Sequence, residues 1–297
     1  ANEDPVALQL VTSIARSFRQ RSVRERAAEL VEQIAARRGW STDELADRVI
    51  PTAGFPTEEE AEAEADAEER TAVRALELGV AILDFGPRHF TMRIGPDLTT
   101  ALFTAEGALL KALPKPGVKD DAELAKAARS AVTSAKKELA QVVDLQTARL
   151  LEAMALGRTW SAAAWREVFG DHPVMRHLVS RLIWAAGPVG PDGEPLDGAP
   201  VTLLLPTLDG ELLDIDDADV ALAPDARLWL AHASRLDAAT VARWRERLAD
   251  YGVTPLVDQL NQLERAAPSF GEGATELNDR EGWTQTVGAL RSRAVKQ

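Results

Sequence analysis

The sequence predicts an α+β fold, mostly helical, in which a β-meander packs on one long helix. Residues 121–156 contain neither glycine nor proline and place apolar side chains at helical spacing, which predicts a helix about 50 Å long. Residues 76–110 form short apolar runs separated by turns that contain glycine or proline, the pattern of antiparallel strands. Because such a sheet needs a helix to cover its apolar face, the long helix that follows is its expected partner.

Residues 1–55 precede this unit and are predicted to form a helical segment resembling a HEAT-like solenoid. Two amphipathic stretches are separated from a third by Gly39, a residue that commonly ends helices. Ser41 and Glu44 then have the spacing of a capping box, which predicts a helix start at that point.

Residues 56–74 are strongly acidic and have few large apolar side chains. Because closely spaced carboxylates repel one another, this stretch is predicted to be an acidic linker or insert. A segment that collects cations or docks on a partner is the functional alternative.

Residues 75–186 are predicted to hold the meander, the long helix and two shorter helices, the second running from Pro173 to Ala186. Residues 187–297 are predicted to form a small C-terminal α/β lobe with a loosely ordered tail. Asp209-Gly210 between two apolar runs indicates a hairpin in this lobe.

Bulk composition excludes several classes of function. The chain has no cysteine, which excludes disulfides and thiolate chemistry, and its net charge of −13 disfavours binding to nucleic acid. No apolar run is long enough to span a membrane and no secretory signal begins the sequence, so a cytoplasmic protein without a membrane partner is expected. No phosphate-binding loop or nucleophile motif is present, and no cofactor is expected.

Residues 158–184 concentrate the candidate functional side chains. Three of the seven tryptophans lie there together with two of the four histidines. A metal site would use His172, His177 and Asp171, although a five-residue spacing separates the two histidines by about 140° around a helix. Alternatively, Asp171 or His172 caps the following helix, and the aromatic residues form a structural junction.

An anion site is a second interpretation of the same region. Arg176, His177 and Arg181 lie opposite the predicted apolar face, and guanidinium groups bind carboxylates or oxyanions. The alternative is that these arginines pair with the acidic residues 209–219, which lack the spacing of a calcium loop. His232 follows an apolar run and is a further candidate that could join either site in space.

Five stretches resemble the MolR-like (molybdate metabolism regulator-like) proteins, an uncharacterised bacterial family whose members often carry a WGR domain. They are ELADRVIPTAGF (44–55), LDFGPRHFTMRI (83–94), LLKALPKPG (109–117), RLLEAMALGRTWSAAAWREVFGDHPVMRHLVSRLIW (149–184) and WRERLADYGVTPLVDQL (244–260). The resemblance implies an intact fold that usually belongs to a longer polypeptide, and it carries no catalytic residues over to this chain.

The sequence therefore favours a non-enzymatic interaction or regulatory scaffold. Its expected partners are another protein or other domains of the same longer chain. The alternative is an enzyme, or a metal or anion sensor, with a site around Asp171, His172, Arg176 and His177.

Overall fold

The structure is a computed structural model, which describes residues 5–57, 60, 79–190, 193, 196, 199–223, 225–261, 276–278 and 284–286. Its helices are α1 (Pro5–Ser17), α2 (Arg21–Arg38), α3 (Thr42–Arg48), α4 (Ala122–Leu156), α5 (Ala162–Trp165), α6 (Met175–Val179) and α7 (Ala238–Asp250). Its strands are β1 (Val80–Asp84), β2 (His89–Ile94), β3 (Thr100–Thr104), β4 (Leu109–Leu110), β5 (Trp160–Ser161), β6 (Trp184–Gly187), β7 (Thr202–Pro206), β8 (Leu212–Leu213), β9 (Arg227–Leu230), β10 (Glu276–Asn278) and β11 (Thr284–Thr286).

The chain combines α-helices with antiparallel sheets, as the sequence predicts at the level of fold class. Strands β1 to β4 pair in sequence order and form the predicted meander. Helices α1 and α2 pack together and share a small core with α3, whereas a solenoid repeat stays a prediction. The acidic linker and the C-terminal tail fall almost entirely outside the described residues.

Helix α4 is the longest element and packs against both the meander and β9. The Asp121 side chain accepts hydrogen bonds from two amide groups of its first turn, and Gly157 ends it in the left-handed conformation that favours glycine. From Ala125 to Arg149 its buried residues follow alternating three- and four-residue steps along one stripe, which Leu150 and Ala153 extend. They are Ala125, Ala128, Val132, Ala135, Leu139, Val142, Gln146, Arg149, Leu150 and Ala153.

The second sheet has the order β5-β9-β6-β7-β8 and is covered on both faces. Alternation along β6 and β9 sends Trp184 and Leu230 into the core shared with α4. Ala185 and Trp229 point the other way, into a core shared with α7. This sheet unites β5 and β6, which precede residue 188, with strands that follow residue 200. The domain boundaries proposed at residues 56, 75 and 187 stay predictions.

The helix predicted from Pro173 to Ala186 is wrong in its second half. Helix α6 ends at Val179, and Trp184–Gly187 is the central strand β6. Apolar spacing alone could not separate the two forms, because Leu182, Trp184 and Ala186 also alternate as a buried strand would. Pairing with β7 and β9 on both sides selects the strand.

Candidate functional site

Four aromatic rings form the centre of the junction between α4, the π-helical turn Arg166–Gly170 and the second sheet. Trp184 packs within 6 Å of the rings of Trp160, Trp165 and Phe169, with centroid separations of 5.6, 5.4 and 5.7 Å. The pairs with the two tryptophans are edge-to-face, an arrangement favoured by the ring quadrupoles. Because all four side chains are buried, this cluster is a packed core with no open aromatic surface.

His172 is a structural residue that joins two segments distant in sequence. Its Nδ1 accepts hydrogen bonds from the Val174 and Met175 amides, both at 3.1 Å, and so caps the turn that begins α6. The proton must then lie on Nε2, which donates to the Ile50 carbonyl oxygen at 3.1 Å. Burial lowers the pKa of His172 to about 4, so the ring is neutral at pH 7. The cap and the bond to Ile50 therefore account for both ring nitrogens.

The remaining candidate residues form bonds to separate parts of the fold. Arg181 donates to the Pro96 carbonyl oxygen in the turn between β2 and β3, and burial lowers the pKa of its guanidinium. His177 lies against Gly79, where an added Cβ would stand 3.0 Å from its Nε2. His232 accepts a hydrogen bond from the Ser234 amide and caps the short 3-10 helix Ala233–Arg235.

Only Asp171 and Arg176 among the candidates line a common cavity. The cavity has a volume of about 30 Å³ and lies between the π-helical turn and the β7–β8 hairpin. Arg176 is fixed across it by hydrogen bonds to the Gly170 carbonyl at 2.6 Å and the Leu208 carbonyl at 3.0 Å. Arg181 and the histidines do not contribute to its lining. In the described ranges, no group of three histidine or carboxylate residues is arranged to hold a metal ion.

Three of the six acidic residues at positions 209–219 form ion pairs with α7 or hydrogen bonds with their own backbone. Asp216 binds Arg243 at 2.6 Å, and Asp217 binds Arg247 at 2.6 Å. The hydrogen bonds from Arg247 and Tyr251 lower the pKa of Asp217. Asp214 accepts hydrogen bonds from two amides of its own turn. These three carboxylates thus serve as turn caps and ion-pair partners.

A buried polar centre around Asp47 was not predicted from the sequence. Its Oδ1 pairs with Arg149, and its Oδ2 accepts hydrogen bonds from Arg158 at 2.5 Å and from the Trp160 indole at 2.9 Å. Arg149 also donates to the Gln146 side chain at 2.8 Å and to the Ala46 carbonyl. Every member except Arg158 is almost fully buried. This centre ties α3 to the end of α4 and to β5.

One signal for this centre was present in the sequence. The three-four spacing of buried positions on α4 continues through Gln146 and Arg149, which places two polar residues in the apolar stripe. Buried polar groups require partners. The partner Asp47 lies about a hundred residues earlier, however, and only the folded chain identifies it.

Geometry thus defines a mixed α and β module whose buried polar side chains join its segments. The chain belongs to the family described as Domain of unknown function (DUF4132), whose model matches residues 107–295. It is 28% identical over 295 residues to the Uncharacterized protein YehI of Escherichia coli (strain K12). That match covers 99% of this chain but only 22% of YehI, so the chain spans about a fifth of that relative's length. No solved structure matches the chain.

In the part of the chain that the structure describes, no helix combines the length and the hydrophobicity needed to cross a membrane.

Proposed function

We propose that this chain is a non-enzymatic scaffold module, cytoplasmic and related to the MolR-like proteins, which presents a rigid surface to a protein partner. The observation that carries the proposal is that polar side chains, two of them candidate site residues, connect distant segments of the fold. Asp47, His172 and Arg181 each bond to an element far away in the sequence. A side chain fixed in this way stabilises the fold and is poorly placed to turn over a substrate.

A further buried side chain fits the same role. Gln259 is almost fully buried and bonds through its amide to both backbone groups of Ile183 and to the Ala231 carbonyl, at 2.8 to 2.9 Å. It therefore fixes the segment after α7 to the start of β6 and to the end of β9. Rigid connection of this kind suits a module that must present a surface of constant shape.

The outer face of the meander is the surface that we propose for the partner. Ile82, Thr91, Phe103 and Leu109 stand opposite one another across all four strands. The side chains at the two ends of this row are 60% and 71% exposed, whereas the inner row Ala81, Met92 and Leu102 is buried. A row with exposed apolar ends on a rigid sheet is suited to covering by another protein surface.

We propose that another segment of a longer polypeptide covers this outer face of the meander. The matched region makes up only 22% of YehI, so most of that relative lies outside it and could supply such a covering segment. In this chain, Arg93 lies over the Phe103 ring at 5.4 Å and adds a cation to the face. An apolar segment would complement the exposed ends of this row.

The proposed function is tested by measuring binding between this chain and the rest of its polypeptide, expressed separately. The chain is mixed with the remaining polypeptide of its own gene product, and their association is followed by analytical ultracentrifugation. The double variant Ile82→Asp, Leu109→Asp should weaken the complex at least ten-fold because it places charges in an apolar interface. The variant Val118→Asp, at an exposed apolar position outside this row, is the matched control and should bind as the wild type does. Absence of association, or equal binding by both variants, would contradict the proposal.

A further inference from the structure

We infer that the cavity between the π-helical turn and the β7–β8 hairpin is a binding site for a single carboxylate group. This inference goes beyond the scaffold function and does not depend on it. The walls include two arginines, Arg166 and Arg176, and one acid, Asp171. Formal charges therefore leave the lining at +1, in a chain whose net charge is −13.

The two guanidinium groups differ in a way that suits ligand capture. Arg176 is held in place by hydrogen bonds to the Gly170 and Leu208 carbonyl oxygens, which fix the direction of its guanidinium group. Arg166 is exposed and forms no ion pair with any residue in the described part of the chain. One fixed guanidinium and one without an ion-pair partner in the described part of the chain can donate to the two oxygens of a carboxylate.

The side chain of Trp165 gives a second reason, independent of the arginines, to expect a ligand in this cavity. It lines the cavity and is only 4% exposed, yet its indole Nε1 has no acceptor among the described residues. Buried N–H donors are almost always paired in folded proteins. An oxygen atom supplied by a bound group would satisfy this donor, and the adjacent arginines favour an oxygen that carries negative charge.

The size of the cavity selects the ligand class. A volume of about 30 Å³ accommodates a water-sized group or the tip of a small ligand. A planar carboxylate with one negative charge fits both this volume and the lining charge of +1. A tetrahedral dianion such as sulfate or molybdate would leave the lining with excess negative charge. The carboxylate could belong to a small acid or to an acidic side chain of a protein.

The experiment is an NMR titration of the full chain that follows the Trp165 indole N–H resonance, assigned by its loss in Trp165→Phe. The probes are sodium acetate for a free acid and N-acetyl-aspartate N-methylamide for a side-chain carboxylate. Acetamide and sodium chloride at matched ionic strength are the controls. We expect at least one carboxylate to shift this resonance saturably, with a Kd of about 1 mM or weaker, as the size of so small a ligand allows.

Two variants connect the shift to the cavity. Arg166→Gln should weaken binding about ten-fold, whereas Arg37→Gln, an exposed arginine on α2, should leave it unchanged. Asp171→Asn should tighten binding because it removes the one negative charge from the lining. Response to acetate alone identifies a free acid, and response to the blocked aspartate identifies a protein side chain. If neither probe shifts the resonance beyond the chloride control, the donor is satisfied by water and the inference is wrong.

Discussion

Asp47 and Arg149 form an ion pair inside the protein, with 5% and 7% of their respective surfaces exposed. One belongs to α3 and the other lies near the end of α4, so the pair bridges segments that are far apart in sequence. The attraction between two opposite charges inside a protein is largely offset by the cost of removing both from water. Removal of one partner leaves the other charge buried without compensation, which is strongly destabilising. The pair therefore makes the docking of α3 onto α4 specific.

Replacement of Asp47 by asparagine should strongly destabilise the protein. The side chain keeps its size, but Arg149 and Arg158 lose the carboxylate that neutralises them. We expect the free energy of unfolding to fall by about 3–5 kcal/mol, measured by urea denaturation. Asp144→Asn, at an exposed position on α4, is the control and should change it by less than about 0.5 kcal/mol. A loss below about 1 kcal/mol for Asp47→Asn would show that the buried pair is dispensable.

Stability should depend on pH through His172. Its pKa is about 4 in the folded chain and about 6.5 when unfolded, so the unfolded state binds the proton more tightly. The contribution of the neutral imidazole to the free energy of unfolding is therefore fully present above pH 6.5. It is lost as the pH falls through 4, and the total loss is about 3 kcal/mol. The measurement is the unfolding free energy from pH 7 to 4 for wild type and for His172→Asn.

The His172→Asn variant separates this effect from other titrations. An asparagine side chain at this position could still cap the α6 turn but would not titrate, so the wild type should lose more stability than the variant between pH 6.5 and 4. Parallel pH profiles for the two proteins would be inconsistent with a buried neutral imidazole at this position.

Truncation of Trp184 should test the aromatic junction. Its ring is fully buried and contacts three other aromatic rings, so Trp184→Ala removes a large core volume. We expect a loss of about 3–5 kcal/mol in unfolding free energy, determined by guanidinium denaturation. Tyr251→Ala, which removes an aromatic ring that is 58% exposed, is a comparison substitution and should cost much less. Equal losses would mean that the junction contributes little beyond surface packing.

Glycine should be required at position 79 for two reasons, the close packing of neighbouring atoms and the positive φ of its backbone. Gly79 and Gly107 both have φ between 80° and 90°, so alanine introduces similar backbone strain at each. At Gly79, however, the added Cβ would stand 3.0 Å from His177 Nε2 and 3.3 Å from the Pro173 carbonyl, whereas Gly107 has open space. Gly79→Ala should therefore lower the melting temperature more than Gly107→Ala does. Equal shifts would show that His177 moves away freely.

Local signals predicted much of the fold, and distant contacts explain what they missed. The capping box at Ser41 and Glu44, the length of α4 and the stop at Gly157 depend on neighbouring residues, and all three were predicted correctly. Strand β6 was mistaken for helix because its two pairing partners come later in the chain. Asp47 was missed for the same reason, since an isolated helical Asp-Arg sequence gives no sign of burial.

The candidate site illustrates the same limit. Sequence position correctly indicated that His172 could cap a helix, because that bond is local. It could not show that Arg176 faces a hairpin thirty residues later or that Arg181 reaches the meander. Trp165 and Arg166 were recognised only as parts of an aromatic stretch, and the cavity they share with Arg176 depends on the position of the β7–β8 hairpin.

A double-mutant cycle on Asp47 and Arg149 tests most directly whether the buried polar residues hold the segments of the fold together. The unfolding free energies of wild type, Asp47→Asn, Arg149→Gln and the double variant give the coupling between the two side chains. We predict a favourable coupling of at least about 1.5 kcal/mol, since contacting members of one buried network are strongly non-additive. Additive losses, with a coupling near zero, would contradict the structural role assigned to this pair.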